Sequence, residues 1–404
     1  MLSQTGTGFT LFFIPIFFVD QVGLSPTQVG LGLAAMSVSG AIGRIGGGSL
    51  ADSRFGRKRT LSLSLVTSAL GSLALAITHS FELFIVANLI AGLGQGFYWP
   101  ATETMVADLT TRAERNEAYA LNRLGDNLGL SFGVALASGW VDLTDTYRPL
   151  FVVDALSFLV FLGLLLALIP ESRPHSPTQS QQALWGGWKI ALSDRALLVF
   201  ALGNILLTTY IAQLSAGLPL YFDQFLDLSV RRIGILFFGH GLLIACLQLP
   251  VARLLNRLTR VRGLTLSALA WLVGFLLIWA LGMWNPAAGM NLGLIIVALG
   301  VLSLAVVMYN PSASALVADL APPHLRGVYL SVNALCWAAG FGFGPVISGY
   351  VLDLPAPQAH FLWLGWAVSV GLVLMILRGL RQILPVHVNA TVSHSASDLA
   401  NLSP

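Results

Sequence analysis

The sequence of 404 residues contains few charged residues and only two cysteines. Lys, Arg, Asp and Glu make up 10% of the chain, against about 25% in soluble globular chains, which excludes a soluble protein of this length. Cys246 and Cys336 both lie in apolar runs, which excludes a disulfide framework. The strands of a porin-type barrel alternate apolar and polar residues, whereas this sequence has long apolar runs, which excludes such a barrel. The chain is therefore predicted to be an all-α polytopic membrane protein.

Its apolar runs predict twelve transmembrane helices. Hydrophobic residues make up 56% of the sequence, and one spanning helix uses about 20 residues. Turn signals separate the runs. The predicted spans are 2–22, 27–51, 60–78, 81–108, 115–141, 148–169, 196–225, 230–255, 262–282, 290–318, 324–352 and 360–382.

The longest connection is rich in Pro, Ser and Gln, a composition typical of a linker. It divides the spans into two groups of six. We therefore predict four parts, which are an N-terminal six-helix bundle, a cytoplasmic linker, a C-terminal six-helix bundle and a disordered cytoplasmic tail. They cover residues 1–169, 170–195, 196–384 and 385–404.

Most basic residues fall in connections on one side of the predicted bundle, whereas the other side holds little more than Arg148, Arg231 and Arg232. Because basic loops stay in the cytoplasm, both termini and the linker are predicted to be cytoplasmic in the cell (inner) membrane. The net charge of +3 then gives no indication of nucleic acid binding. The expected partners are a small-molecule substrate and the lipid bilayer, and the chain is expected to be monomeric.

The two groups of six spans repeat each other. Moving residues 100–143 forward by 211 positions aligns about a dozen identical residues, among them Pro100 with Pro311, Asn122 with Asn333 and Asp142 with Asp353. This shift carries spans 4 and 5 onto spans 10 and 11, so the repeats are parallel. Parallel repeats are found in secondary transporters, whose substrate site lies near the bilayer midplane.

Residues 48–59 read Gly-Ser-Leu-Ala-Asp-Ser-Arg-Phe-Gly-Arg-Lys-Arg and connect spans 2 and 3. This segment resembles the G-x-L-A-D-R-x-G-R-R signature of the major facilitator superfamily, with one extra residue between Asp52 and Gly56. With twelve spans, a linker and a parallel repeat, the chain resembles the drug-efflux-type bacterial members of this family. The resemblance implies the major facilitator fold and a secondary transporter rather than an enzyme.

The resemblance also implies that this segment is a latch on the cytoplasmic side, in which a basic residue pairs with an acid at the end of span 4. Here that acid is Asp108. Asp52 ends span 2, where the helix dipole disfavours an anion, so we expect Arg57, Arg59 or another helix N-terminus to neutralise it. The alternative is an ordinary basic loop. The predicted latch comprises Gly48, Asp52, Gly56, Arg57, Lys58, Arg59 and Asp108.

Span 11 contains Gly340-x-x-x-Gly344-Pro345, which resembles a glycine-proline motif that exporters of the family carry in span 5. Span 5 of this chain has Gly129 and Gly133 but no proline. The alternative interpretation is close helix packing, which small residues four apart permit.

Three ionisable residues occur in the first repeat alone. Glu103 aligns with Ser314, Arg123 with Ala334 and Asp126 with Trp337. Each costs about 2.5–3.5 kcal/mol at a membrane centre on insertion scales, so we expect them to be paired or to face water. The functional hypothesis is that Glu103, Arg123 and Asp126 couple transport to a proton or bind a charged substrate. The alternative is a static salt bridge between spans 4 and 5.

Spans 1, 4, 7 and 10 line the substrate cavity in the family that the chain resembles. A mixture of aromatic and polar residues on these spans describes a permissive pocket, and equally describes ordinary helix packing. The predicted cavity residues are Tyr98, Trp99, Asn204, Tyr210, Gln213, Tyr309 and Asn310. Asp154 in span 6 is interpreted as a capping or interfacial residue.

The sequence therefore predicts a transporter that works by alternating access, exports small apolar or amphipathic molecules in exchange for protons, and uses no cofactor. The alternatives are an uptake permease, working as a symporter or facilitator for a small organic solute, and a transport-inactive sensor or scaffold. Met1 lies almost inside the first span, and we hypothesise that the natural start is upstream of it.

Overall fold

The computed structural model describes residues 1–51, 53–109, 115–169, 187–284, 288–322, 325–385 and 388. The expected twelve spans are present in these ranges as α-helices, which confirms the predicted all-α fold. We label them α1 to α12, with α1 and α7 each in two segments. Their bounds are α1a Leu2–Thr10, α1b Ile14–Asp20, α2 Pro26–Ala51, α3 Arg57–Ala76, α4 Phe81–Leu109, α5 Arg115–Thr144, α6 Arg148–Leu168, α7a Arg195–Gln213, α7b Gly217–Gln224, α8 Val230–Leu255, α9 Arg260–Trp284, α10 Ala288–Leu320, α11 Arg326–Leu352 and α12 Phe361–Ile383.

Eleven of these helices are long and apolar enough to cross a membrane, within the residues described. The helix outside that set is α5, which carries Asp126 and Asp142 among its polar residues. The predicted span at 115–141 is thus a helix in the structure, and its crossing of the membrane remains a prediction. A helix of this kind is tolerated in a bilayer when its polar face is covered by protein.

By contact density, the chain divides into two compact units. Unit 1 takes the described residues of Met1–Thr178, Ala212–Gly241 and Phe341–Leu354, and unit 2 takes those of Gln179–Ile211, Leu242–Gly340 and Pro355–Pro404. Unit 1 thus adds α7b, the start of α8 and the end of α11 to the first six helices. The predicted division into two six-helix bundles at the linker was based on the sequence repeat, and it remains a prediction.

Two seams in unit 1 join helices of the first repeat to helices of the second. In the first seam, a Cβ atom on Gly30 of α2 would overlap the Pro345 carbonyl of α11, and a Cβ on Gly349 of α11 would overlap the Pro26 carbonyl. In the second, Gly234 of α8 lies equally close to Ser138 of α5. Close backbone approach is what small residues permit between membrane helices.

Each seam is supported by an aspartate, and the two aspartates occupy the same position in the two repeats. Asp142 at the end of α5 pairs with Arg231 at the start of α8, with 3.2 Å between the Nη1 and Oδ2 atoms. Its repeat partner Asp353 accepts a hydrogen bond of 2.9 Å from the backbone N–H of Thr27, in the first turn of α2. A carboxylate at a helix N-terminus is stabilised by the helix dipole. The repeat found in the sequence is therefore reproduced in the contacts.

The glycine motifs of α5 and α11 pack closely on neighbouring helices. Gly129 and Gly133 of α5 lie against the backbone of α1a, where added Cβ atoms would overlap the carbonyls of Met1 and Thr5. Gly340 of α11 lies against Thr208 of α7a. The packing interpretation of these motifs is confirmed for these residues.

Gly30→Ala is expected to lower the unfolding free energy by about 1–3 kcal/mol, the usual cost of overpacking. The matched control is Gly139→Ala in α5, because no atom lies within 4 Å of a Cβ at Gly139. Alanine has the higher helix propensity, so the control is expected to be neutral or slightly stabilising. Thermal unfolding in detergent measures both variants, and equal melting temperatures would show that the seam is loosely packed.

Candidate functional site

The first feature that indicates a site is a matched pair of broken helices. Helix α1 is interrupted between Thr10 and Ile14, and α7 between Gln213 and Gly217. Moving the first break forward by 203 positions places it on the second. Helices interrupted at corresponding places in two repeats are the best structural indication of a transporter's binding site.

Proline accounts for both interruptions. Pro15 and Pro219 lie at the start of α1b and α7b, and proline has no N–H to donate to the carbonyl four residues earlier. The chain turns more tightly at these places, with hydrogen bonds of 3.0 Å from Phe13 N to Thr10 O and 3.3 Å from Ser215 N to Ala212 O. These two prolines were the signal in the sequence that could have predicted the breaks.

A cavity of about 50 Å³ opens beside the break in α1, entirely within unit 1. One water molecule needs about 10–15 Å³ on this measure, so the cavity has room for several. Its lining combines hydroxyl, amide and carboxyl groups with apolar side chains. The lining residues are Gln4, Thr7, Thr10, Leu11, Ile14, Met36, Ser68, Ser72, Leu75, Ala91, Gln95, Tyr98, Asp154 and Phe158.

Asp154 of α6 is buried in the wall of this cavity, with 4% of its surface exposed. Its Oδ2 atom accepts hydrogen bonds from Ser72 Oγ at 2.7 Å and from Thr10 Oγ1 at 3.3 Å. The interpretation of Asp154 as a capping or interfacial residue was wrong, because the side chain joins α6 to α1a and α3 inside the bundle. Its spacing along the chain gave no indication of these partners, which come from distant helices.

Tyr98 and Asp126 lie close together in the same unit. Tyr98 of α4 lines the cavity and interacts electrostatically with Asp126. Asp126 is buried, and its Oδ2 atom accepts a hydrogen bond of 3.4 Å from Asn122 Nδ2. The Met1 nitrogen lies 3.5 Å from its other oxygen.

The second repeat has the same arrangement without the charge. Tyr98 aligns with Tyr309 and Asp126 with Trp337. The two rings of the later pair lie with their centroids 5.9 Å apart, and the Trp337 side chain hydrogen bonds to Tyr309. A neutral indole therefore occupies the place that a carboxylate occupies in the first repeat.

Glu103, the other predicted carboxylate, is exposed in α4 and interacts electrostatically with Arg44 of α2. Sequence reasoning did not consider Arg44 as a partner. Arg123, the predicted partner of Asp126, lies in α5, but its side chain is outside the described residues. Its proposed pairing with Asp126 remains a prediction.

The predicted latch is described in part. Gly56, which precedes α3, has a φ of 91°, a conformation that favours glycine. Arg57 donates to the Thr104 carbonyl of α4 at 3.3 Å, and Lys58 donates to the Leu166 and Ile169 carbonyls of α6 at 3.0 and 2.6 Å. These cations therefore neutralise the C-terminal ends of two helices, a favourable position for positive charge.

The structure gives fewer contacts for the other residues of the predicted latch. Arg59 is exposed, and Gly48 lies in α2 with open space around its Cα atom. Asp52 lies outside the described residues, as does the side chain of Asp108. The pairing of a basic residue with Asp108 thus remains a prediction, while Arg57 reaches α4 one helical turn earlier, at Thr104.

Two predicted cavity residues of the second repeat form a buried network in unit 2. Asn204 of α7a donates to Asn333 Oδ1 at 2.8 Å, and Tyr309 of α10 donates to Asn204 Oδ1 at 2.8 Å. Asn204 and Tyr309 each expose 1% of their surface. The network joins α7a, α10 and α11, and a role in substrate contact remains a prediction for both residues.

The remaining predicted cavity residues have different surroundings. Tyr210 is fully buried against Trp271, Phe275 and Trp366 in unit 2, and its hydroxyl lies 2.7 Å from Ser369 Oγ. Gln213, at the break in α7, accepts a hydrogen bond from Ser348 in unit 1. Trp99 and Asn310 are half-buried. Their contact with a substrate likewise remains a prediction.

Comparison with known proteins agrees with this architecture. A sequence profile described as the Major Facilitator Superfamily matches residues 1–230 and 214–392. The chain therefore belongs to the major facilitator superfamily, is a multi-pass membrane transporter and is expected to bind a small-molecule substrate within the bilayer.

Three relatives have similar sequences over most of their length. The MFS-type transporter YdeE of Escherichia coli (strain K12) is 24% identical over 94% of this chain and 93% of its own. A Na(+), Li(+), K(+)/H(+) antiporter of Planococcus maritimus is 25% identical over 89% and 87%. The quinolone resistance protein NorA of Staphylococcus aureus (strain MSSA476) is 22% identical over 92% of both chains.

Solved transporter structures share the fold. A D-xylose-proton symporter superposes with a TM-score of 0.75 at 18% identity and covers 97% of both chains. The nucleoside transporter NupG superposes with a TM-score of 0.73 at 15% identity, over 94% of this chain and 96% of its own.

Tyr309→Phe is expected to lower the unfolding free energy by about 1–3 kcal/mol, because Asn204 and Trp337 each lose a buried hydrogen-bond partner. The matched control is Tyr350→Phe in α11, since Tyr350 is 63% exposed. Thermal unfolding of the purified variants is the measurement. A Tyr309→Phe protein as stable as the control would contradict the network.

Proposed function

We propose that this transporter exports small apolar or amphipathic molecules in exchange for protons, by alternating access. The observation that carries the proposal is Asp126. At the aligned position the second repeat has the neutral Trp337, which packs on Tyr309, so the duplicated fold alone does not require a carboxylate at this place. A buried carboxylate in a membrane helix is costly, and such residues mark proton relays and substrate pathways in transporters.

The cavity chemistry supports an amphipathic substrate. Leu11, Ile14, Met36 and Phe158 supply apolar surface around a few polar groups, the combination found in ligand pockets. The names of two relatives support the direction and the coupling. One is a quinolone resistance protein and the other a cation/proton antiporter.

The two seams of unit 1 support alternating access. Gly30 and Gly234 are each the fifth residue of the second helix of their repeat, and each makes a close contact between one helix of each half. Contacts that recur in both repeats suit a rocking motion of one repeat against the other.

We further propose that the protein lies in the inner membrane with both termini in the cytoplasm. The basic connections support this orientation, since the positive-inside rule places them on the cytoplasmic side. The seams then close the periplasmic side, because Arg231, Asp142 and Asp353 lie at the opposite ends of their helices from these connections.

The second candidate function is uptake of a polar organic solute. Seven lining residues with hydroxyl or amide groups favour it, because they can hydrogen bond to such a solute. They are Gln4, Thr7, Thr10, Ser68, Ser72, Gln95 and Tyr98.

Transport in membrane vesicles of both orientations separates the two functions. We expect inverted vesicles with an imposed proton gradient to accumulate the fluorescent cation ethidium, and right-side-out vesicles to exclude it. Vesicles without the protein are the control. Proton-driven accumulation of a solute by the right-side-out vesicles alone would establish uptake and contradict export.

Asp126→Asn is expected to abolish proton-driven ethidium accumulation while exchange of ethidium across the membrane continues, because the amide keeps the shape but cannot carry the proton. The matched control is Asp145→Asn, since Asp145 is an exposed residue with a φ of 52°, which asparagine tolerates. Unchanged driven accumulation in Asp126→Asn would remove Asp126 from the coupling mechanism.

A further inference from the structure

In the described part of the chain, one carboxylate oxygen of Asp154 is buried and accepts no hydrogen bond. Its Oδ2 atom accepts two hydrogen bonds, from Ser72 and Thr10, whereas its Oδ1 atom is buried without a hydrogen bond. Gly6 of α1a makes room for this oxygen, since a Cβ at Gly6 would lie 2.7 Å from it. An unsatisfied buried acceptor is rare and costly in a folded protein.

Among the described residues, the lining of this cavity includes no Lys or Arg side chain that could balance a negative charge on Asp154. The cavity is lined by residues of α1, α2, α3, α4 and α6, and Tyr98 of α4 is the only other titratable side chain among them. Arg148, at the start of α6, is engaged elsewhere, with the Ala76 and Thr78 carbonyls and His79. Asp126 of α5 approaches from the side of Tyr98 and adds negative charge.

From this geometry we infer that Asp154 binds a transported proton on its Oδ1 atom, in the polar cavity beside the break in α1. The inference rests on the proposed proton coupling and adds a second acid to it. Addition of one proton to the carboxylate gives a neutral carboxylic acid, and release returns the proton to water in the cavity. No other group is oxidised, reduced or transferred.

The two hydroxyl partners suit both states of this acid. A serine or threonine hydroxyl can donate to a carboxylate, and after rotation it can accept from a carboxylic acid. Ser72 and Thr10 can therefore remain bonded to Asp154 when its charge changes. The cavity of about 50 Å³ has room for the water that brings and removes the proton.

The location links the proton to the motion of α1. Thr10 is the last residue of α1a, immediately before the break, and its backbone carbonyl accepts the N–H of Phe13 within the break. Loss or gain of charge on Asp154 thus changes the contact that fixes α1a against α6. Asp126, in contrast, accepts a hydrogen bond from Asn122 and interacts electrostatically with Tyr98.

Infrared difference spectroscopy on the full-length protein in lipid nanodiscs tests the inference without a substrate. At neutral pH we expect the C=O stretching band of a protonated carboxyl group, shifted by exchange into deuterated water. The band should be lost in Asp154→Asn and kept in the control Asp145→Asn. An Asp154→Asn spectrum identical to that of the parent at every pH would overturn the inference.

A second variant keeps the test decisive if Asp154→Asn does not fold. Ser72→Ala removes the hydroxyl that donates to Oδ2 of the ionised form, and hydrogen bonds to a charged form favour that form. We expect the band to move in frequency and to persist to higher pH. A band unchanged in both respects would also overturn the inference.

Ethidium accumulation in inverted vesicles, measured against pH, separates this inference from the proposed function. We expect Asp154→Asn to lose the pH dependence of driven accumulation and to keep the melting temperature of the parent. If the parent does not move ethidium, the proposed function fails, and the infrared band still decides whether Asp154 binds a proton. If Asp154→Asn transports with the pH profile of the parent, the inference fails and the proposed function stands.

Discussion

Close contact between helices at the two seams is the constraint on which the rest of this structure depends. Lipid gives membrane helices no hydrophobic reason to associate, so their packing depends on how nearly two backbones can approach. Gly30 and Gly234 permit that approach, and Asp353 and Asp142 stabilise it at the helix ends. Each seam joins one helix of the first repeat to one helix of the second. In the proposed function, the seams open and close as one repeat rocks against the other.

The proposed function rests on the differences between the two repeats. Tyr98 and Tyr309 show that both halves keep a tyrosine at the same place, while its neighbour is Asp126 in one half and Trp337 in the other. The buried polar residues of the second repeat satisfy one another, as Asn204 and Tyr309 do. The first repeat contains the buried carboxylates and the polar cavity. In the proposed function, this asymmetry means that proton chemistry belongs to one of the two repeats.

Much of this architecture follows from the sequence because it depends on composition and repetition. Apolar runs predicted the twelve helices, and the alignment of Asp142 with Asp353 anticipated a shared role that the seams reveal. The site was harder to predict because it depends on distant contacts. Asp154 meets Thr10 and Ser72, which lie 144 and 82 residues away in the chain, and no local pattern relates them. Pro15 and Pro219 did mark the helix breaks, but a proline near a predicted span end is also compatible with an ordinary turn.

Spin labels at Leu31 of α2 and Tyr350 of α11, both exposed side chains in unit 1, test alternating access most directly. Cys246→Ser and Cys336→Ala remove the native thiols, and pulsed electron paramagnetic resonance gives the distance distribution in nanodiscs at low and neutral pH. The account predicts two distances, a short one from the closed seam and a longer one from an open seam, with populations that change with pH. A single short distance under all conditions would contradict it.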